Sequence, residues 1–106
     1  MKDVEVVRAL SALAQAHRLR VFRDLVVAGK DGCTPGQLSE RLDIPAATLS
    51  FHLKELLFAG MVTQSRDGRN LIYRASFDRM NDLLAFMTSN CCEGQPCDLD
   101  TPSCNC

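Results

Sequence analysis

A chain of 106 residues is long enough for one domain with a single modest core. Its composition, 46% hydrophobic and 24% charged, is typical of a globular protein, and no apolar run approaches the roughly 18 residues of a membrane-spanning helix. The amino terminus lacks the apolar block of an export signal, so the sequence predicts a cytoplasmic protein with no membrane partner.

Charge and cysteine are distributed unevenly along the chain. All 12 lysines and arginines lie in residues 1–90 beside ten acidic residues, which leaves this part with a net charge of +2. Residues 91–106 carry three acidic residues, no basic residue and five of the six cysteines. Because the cytosol keeps thiols reduced, such a cluster indicates soft-metal or metalloid binding, or redox chemistry. We therefore predict a domain at 1–90 and a cysteine-rich tail at 91–106.

Two helices are predicted to open the chain. Apolar residues at helical spacing favour an amphipathic helix over residues 4–14 and a second helix over residues 16–27. The turn residues Gly29-Lys30-Asp31-Gly32 then end the second helix.

The next segment has the pattern of two short helices joined by a tight turn. Thr34 is placed as an N-cap, Pro35 as the first helical residue, and Gln37 completes the spacing of a capping box. Pro45 opens the following helix, predicted over residues 46–59 and closed by a glycine. This arrangement is the helix-turn-helix pattern.

After Gly60 the apolar period changes from 3.6 to 2. The sequence predicts strands over residues 61–65 and 70–75, joined by a turn at Asp67-Gly68, and then a last helix over residues 78–89. The resulting order α-α-α-α-β-β-α predicts a mainly α protein with one β-hairpin, which is a winged helix-turn-helix fold.

Polar residues on the outer side of the fourth helix, together with the arginines of the hairpin, are candidates for contacts to DNA bases and phosphates. The candidates are Gln37, Thr48, Ser50, Phe51, His52, Lys54, Arg66 and Arg69. The fourth helix could also present an ordinary solvated face, and Phe51 could contact a thymine methyl group or another part of the protein. No nucleophile–base pair or glycine-rich phosphate loop is visible, so the sequence does not predict an enzyme.

Over residues 5–90 the chain resembles the ArsR/SmtB family of metal- and metalloid-responsive repressors. Four stretches carry the resemblance: Ala12-Leu13-Ala14-x-x-His17-Arg18-Leu19-Arg20, Ser50-x-His52-Leu53-Lys54-x-Leu56, Ala59-Gly60-Met61-Val62 and Arg66-Asp67-Gly68-Arg69-x-x-x-Tyr73. The resemblance implies a homodimer built on the first and last helices, with interface candidates Leu10, Leu13, Leu83, Leu84 and Met87. It also implies an operator of two half-sites that the protein leaves when it binds its effector.

The effector residues depart from two familiar patterns of that family. The stretch Thr34–Leu42 has no Cys-x-Cys motif, and the last helix has no histidine. The tail instead resembles the arsenite-responsive branch, with the adjacent pair Cys91-Cys92 and a third thiol at Cys97. Trivalent arsenic and antimony favour three sulfur ligands, and thiolates select soft ions. The sequence therefore predicts a repressor without a resident cofactor that is released by As(III) or Sb(III).

Two other uses of the tail remain open at this point. Cys104 and Cys106 could complete a four-sulfur site for zinc, cadmium or lead, although none of the spacings is the C-x-x-C of zinc ribbons. Alternatively, pairs of thiols could act as a redox switch. Cys33 stands alone before the third helix and is expected to be a structural thiol, unless a cysteine from a partner's tail approaches it.

Overall fold

The computed structural model describes residues 1–89, so the predicted domain boundary and the five tail cysteines lie outside the described residues. The elements are α1 (Asp3–Leu13), α2 (Ala16–Ala28), a 3₁₀ turn (Gly29–Asp31), α3 (Pro35–Leu42), α4 (Ala46–Phe58), β1 (Val62–Asp67), β2 (Asn70–Ala75) and α5 (Phe77–Met87). Their order confirms the predicted winged helix-turn-helix, and most helix ends lie within two residues of the predicted ones. No helix in residues 1–89 has the length and apolarity needed to cross a bilayer.

Side-chain caps define where several helices begin. The capping box of α3 is confirmed, because Thr34 Oγ1 accepts the Gln37 N–H at 3.2 Å and Gln37 Oε1 accepts the Thr34 N–H at 2.9 Å. Gln15 and Ser76 cap α2 and α5 in the same way. Each cap satisfies a backbone donor that a helix cannot pair internally, so these boundaries follow from local sequence.

The hairpin is longer than predicted. β1 runs to Asp67, which pairs with Asn70, so the two-residue turn consists of Gly68 and Arg69. The strand prediction that ended at residue 65 was therefore short, because polar residues 66 and 67 remain in the ladder on an exposed strand. Cys33 joins the other edge of β2 through paired backbone hydrogen bonds with Tyr73 of 2.9 and 2.8 Å. This bridge attaches the loop before α3 to the wing.

The core lies between the helices and under the first residues of the hairpin. Its largest fully buried side chains come from α2, α3, α4 and the connections beside α4, and include Val21, Leu25, Leu38, Leu49, Leu53, Leu56 and Met61. α1 contributes Val6, Ala9 and Ala12, and α5 contributes Leu83, which is 6% exposed. α1 and α5 are further joined by an ion pair between Arg79 and Glu5 at 2.7 Å. The two helices thus pack on the edge of the core and leave much of their own surface exposed.

Two glycines with the same backbone conformation provide a stability prediction. Gly29 and Gly32 have φ of 64° and 65°, but a Cβ on Gly29 would meet nothing within 4 Å, whereas one on Gly32 would lie 2.5 Å from the Tyr73 carbonyl oxygen. We expect Gly29→Ala to cost about 1–3 kcal/mol, because its φ of 64° with ψ of −136° is a backbone conformation essentially confined to glycine. Gly32→Ala should cost clearly more, because it also forces the Cys33–Tyr73 bridge apart. Urea unfolding of the two variants measures the difference, and equal losses would contradict the close approach.

Candidate DNA-binding surface

The turn between α3 and α4 is held by backbone geometry and one buried side chain. Asp43 has φ of 55° and ends α3 in the left-handed conformation. Ile44 is buried, its N–H donates to the Ser39 carbonyl at 3.1 Å, and the Ser39 hydroxyl donates to the Ile44 carbonyl at 2.5 Å. Pro45 then precedes the first residue of α4. These contacts fix the angle between α3 and α4, which sets how α4 is presented.

The outer face of α4 is polar, exposed and continuous with the hairpin. Leu49, Leu53 and Leu56 point into the core, while Ser50, Phe51 and Lys54 are exposed on the opposite side. An open concavity of about 460 Å³ separates this face from β2, and it is lined by Ala47, Ser50, Phe51, Lys54, Leu57 and Tyr73. Of the other candidates, Thr48 is half-buried and Gln37 is exposed, with its amide oxygen engaged in the capping box.

His52 is placed differently from the other candidates on α4. The sequence predicts it on the flank of the exposed face, but the structure buries it to 6% exposure, so this prediction is corrected. Its Nδ1 accepts a hydrogen bond of 3.2 Å from Arg18 Nε, and its ring stands edge-on to His17 at 5.4 Å between centroids. Burial, followed by the charge of Arg18 and the presence of His17, lowers the pKa of His52 below its ordinary value of 6.5. His52 therefore contacts α2 and does not belong to the exposed face of α4.

Arg18 was missed by sequence reasoning. Helical spacing predicts Arg18 on the outward side of α2 with Arg20 and Arg23, whereas the structure has it half-buried and over the Phe51 ring. Its guanidinium carbon lies 5.6 Å from the ring centroid. The motif that carries the family resemblance contains this residue. However, nothing in the local sequence indicates that it reaches α4.

The arginines of the hairpin fall into two groups. Arg66 and Arg69 are exposed at the end of β1 and in the turn, where the sequence predicts them. Arg74 lies on β2, where the sequence favours a surface ion pair over a contact with DNA. Its Nε donates to the Lys30 carbonyl and its Nη1 to the Ser65 hydroxyl, each at 2.6 Å. Arg74 thus braces the wing, and the two arginines at the tip are the cations available to phosphate.

A second surface, formed by α1 and α5, is apolar. Among the predicted interface residues, Leu10, Leu84 and Met87 are exposed, with Leu84 at 42% and Met87 at 57%. Leu83 is buried in the core of its own chain and Leu13 is half-buried against that core, so these two side chains have less free surface than the interface prediction supposed. The sequence analysis missed the exposed Val4, Val7 and Phe86, although a second apolar stripe on the first helix was a visible signal.

Cys33 is a buried structural thiol, as its isolated position predicts. It is 3% exposed, its Sγ accepts from Arg41 Nη2 at 2.8 Å, and it lies 3.9 Å from Asp24 Oδ2. Arg41 and Asp24 form an ion pair of 2.9 Å. Burial raises the pKa of Cys33, while the charge of Arg41 opposes that rise. Within residues 1–89 no group of three or more His, Cys, Asp or Glu side chains is arranged to hold a metal ion.

Comparison with known proteins agrees with this geometry. A family model described as a helix-turn-helix domain matches residues 13–65, from the end of α1 into β1. A Halobacterium salinarum protein that carries the name of an arsenical resistance operon repressor, ArsR, is 38% identical over 63 residues, which are 59% of this chain and 48% of that protein. The chain spans about half the length of the curated relatives it matches.

Solved structures share the fold. An ArsR-like transcriptional regulator from Rhodococcus sp. RHA1 superimposes with a TM-score of 0.72 over 79% of this chain and 76% of its own, at 24% identity. A homodimeric winged helix-turn-helix DNA-binding domain from Mycobacterium bovis gives a TM-score of 0.66 over 83% and 85%, at 23% identity. These proteins and the Halobacterium protein are named as regulators or repressors of transcription, in agreement with the expectation that the chain is not an enzyme.

Proposed function

Because the chain belongs to the helix-turn-helix domain family and has the winged fold of ArsR-like regulators, we propose that it is a dimeric transcriptional repressor that binds operator DNA and releases it on binding trivalent arsenic or antimony. One observation carries the DNA-binding part of the proposal. The exposed polar face of α4 lines an open concavity that Tyr73 of β2 closes on the other side, and the tip of the same hairpin carries two exposed arginines, Arg66 and Arg69. A recognition helix in the major groove with a basic wing on the adjacent backbone has this arrangement.

The exposed residues of α4 and of the wing have different roles in the proposed complex with DNA, which follow from their chemistry. Ser50 and Lys54 are exposed donors on α4 that can reach base edges or phosphates, and Phe51 offers an apolar contact to a thymine methyl group. Arg66 and Arg69 supply positive charge for phosphate, whose neutralisation accounts for much of the affinity of such proteins. His52 is buried, so we do not assign it a direct contact with bases.

A homodimer supplies the second recognition helix. Exposed apolar side chains on α1 and α5, including Leu10, Leu84 and Met87, form a surface that association of two copies would cover. The Mycobacterium bovis domain with the same fold is described as homodimeric. Two-fold symmetry would present two copies of α4 to two half-sites of an inverted repeat.

The effector part of the proposal is based on the composition of the tail. Five thiols follow residue 90, whereas the sixth, Cys33, is buried and engaged with Arg41. We assign the ligand set to Cys91, Cys92 and Cys97, since three thiolates suit the trigonal preference of As(III) and Sb(III). The name of the Halobacterium relative supports arsenic as the effector. α5 ends at Met87, and Cys91 follows it four residues later in the sequence, so binding there is close along the chain to a helix of the proposed dimer surface.

The second candidate function keeps the DNA-binding role and changes the use of the tail. Cys104 and Cys106 add two further thiols, so a tail that binds zinc, cadmium or lead, or that forms reversible disulfides, is the alternative. A zinc-bound tail would stay loaded after purification, whereas a redox switch would respond to peroxide without any metal.

Selection from a pool of random-sequence duplex DNA tests the proposed function directly. The full-length protein should enrich an inverted repeat whose half-site centres lie about one helical turn, or a multiple of it, apart. Titration of that duplex with arsenite, antimonite, zinc, cadmium and peroxide in parallel then identifies the effector. Failure to enrich any sequence would overturn the DNA-binding proposal.

We expect Arg66→Ala combined with Arg69→Ala to weaken binding to all duplexes by similar factors. Each lost phosphate contact should lower the slope of log affinity against log salt by about one unit, because fewer counterions are released. Titrations at several salt concentrations measure that slope. Arg23→Ala, which removes charge from an exposed position on α2, is the matched control. An unchanged slope in the double variant would show that the wing does not touch phosphate.

A further inference from the structure

One arginine of α2 holds two adjacent residues of α4. The Arg18 Nε–H donates to His52 Nδ1 at 3.2 Å, and the same guanidinium lies over the ring of Phe51, 5.6 Å from its centroid. Phe51 is 54% exposed on the outer face, whereas its neighbour His52 is buried. We propose that Arg18 is a positioning residue that orients the recognition helix for operator binding, and that it does so only while His52 is neutral.

The tautomer of His52 determines whether the contact exists. For Nδ1 to accept a hydrogen bond, the ring proton must reside on Nε2. Protonation of the ring places a second hydrogen on Nδ1, which turns the acceptor into a donor and sets two cations against each other. The Arg18–His52 hydrogen bond is then lost, and Arg18 is released from its position beside Phe51.

Burial and the two basic groups beside His52 favour its neutral form. α2 contributes Arg18 and His17, and both lower the pKa of His52 in addition to the larger effect of burial. Arg8 of α1 and Glu55 of α4 line the adjoining cleft together with Arg18. Because the pKa lies below its ordinary value of 6.5, the contact is complete above that pH and is lost as the pH falls through the lowered pKa.

The expected pH dependence has an unusual sign. Added positive charge normally strengthens binding to the phosphate backbone, so a protein without this contact should bind DNA more tightly as the pH falls. If binding requires neutral His52, the operator affinity should instead stay constant above pH 6.5 and decrease only as the pH falls through the lowered pKa of His52. The decrease approaches about tenfold per pH unit for each protomer, since one proton must leave each His52. This inference rests on the proposed function, because it concerns operator binding.

Three variants of the full-length protein distinguish a positioning role of Arg18 from a general effect of its positive charge on DNA binding. His52→Asn keeps an acceptor oxygen near the position of Nδ1 and does not titrate, so it should bind at pH 7.5 like wild type and show no decrease in acid. Arg18→Met, which removes both the charge and the donor to His52 Nδ1, should bind about 5- to 30-fold more weakly at pH 7.5 and also lose the decrease. Arg23→Gln removes the same charge from an exposed position on α2 and should keep the wild-type pH profile. The probe is the duplex selected by wild type, at constant ionic strength.

Nitrogen NMR of the histidine rings provides a readout without DNA. Wild type should show His52 as the Nε2–H tautomer with a pKa below 6.5, and Arg18→Met should move that pKa toward the ordinary value, because the charge of Arg18 is one cause of the lowering. An Nδ1–H tautomer, or an operator affinity that rises steadily from pH 8 to 5.5, would overturn the inference. If wild type selects no DNA, the proposed function fails, and the positioning role that depends on it falls as well. A wild type that binds DNA with no decrease in acid refutes the positioning role alone.

Discussion

Arsenite is expected to lower the operator affinity of the full-length protein about 5- to 150-fold, which corresponds to a coupling free energy of about 1–3 kcal/mol. Cys97→Ser should abolish this response, because a serine hydroxyl cannot replace the third thiolate of a trigonal site. The operator affinity without arsenite should remain at the wild-type level, since the change lies in the tail. Fluorescence anisotropy of a labelled operator, titrated with arsenite, measures both quantities.

The choice of control separates the proposed site from its alternative. Cys106→Ser also removes one tail thiol, but the three-sulfur proposal leaves its arsenite response intact. A four-sulfur zinc site that uses Cys104 and Cys106 would instead lose its metal in this variant. Release of Cys97→Ser by the same arsenite concentrations as wild type would exclude Cys97 as a required ligand.

Leu84→Asp combined with Met87→Asp should convert the protein to a monomer and lower operator affinity more than about 100-fold. Both side chains are exposed on α5, so the variant should fold, but in a dimer each carboxylate would be buried without a partner. The loss of affinity follows because two linked recognition helices bind two half-sites far more tightly than one helix binds one. Sedimentation velocity gives the mass, circular dichroism confirms the fold, and titration of the operator gives the affinity.

Thr63→Asp adds a carboxylate at an exposed position of β1, away from α1 and α5, and should leave the mass unchanged. Leu83 is unsuitable for this experiment despite its place in the same helix, because it is buried and a charge there would unfold the protomer. A double variant that remains dimeric would place the interface elsewhere on the molecule.

The fold was largely predictable because its signals are local. The capping box of Thr34 and Gln37, the proline before α4 and the alternating pattern of the second strand each act over a few residues, and each lies where it was predicted. The hairpin turn lies at Gly68-Arg69, one residue later than predicted. Its position depends on where the two exposed strands stop pairing, and polar residues do not indicate that point. The surface candidates Ser50, Lys54, Arg66 and Arg69 are exposed, as amphipathic periodicity indicates.

Neighbouring residues at the edge of a helical stripe were less predictable. Leu83 and Leu84 are adjacent and chemically identical, yet the first lies in the core and the second faces outward. His52 was expected on a flank and is buried. Apolar periodicity shows which side of a helix faces the core. The position of the neighbouring helix decides which residues at the border of that side are buried.

The sequence by itself determined the order of the elements, the helix-turn-helix, the charge of the wing and the concentration of thiols after residue 90, because these depend on composition and short-range pattern. Only the tertiary structure decided that Arg18 of α2 contacts Phe51 and His52 of α4, and that Cys33 is buried and accepts a hydrogen bond from Arg41. Such contacts join residues far apart in the chain. They depend on the angle and separation of packed helices, which no single segment encodes.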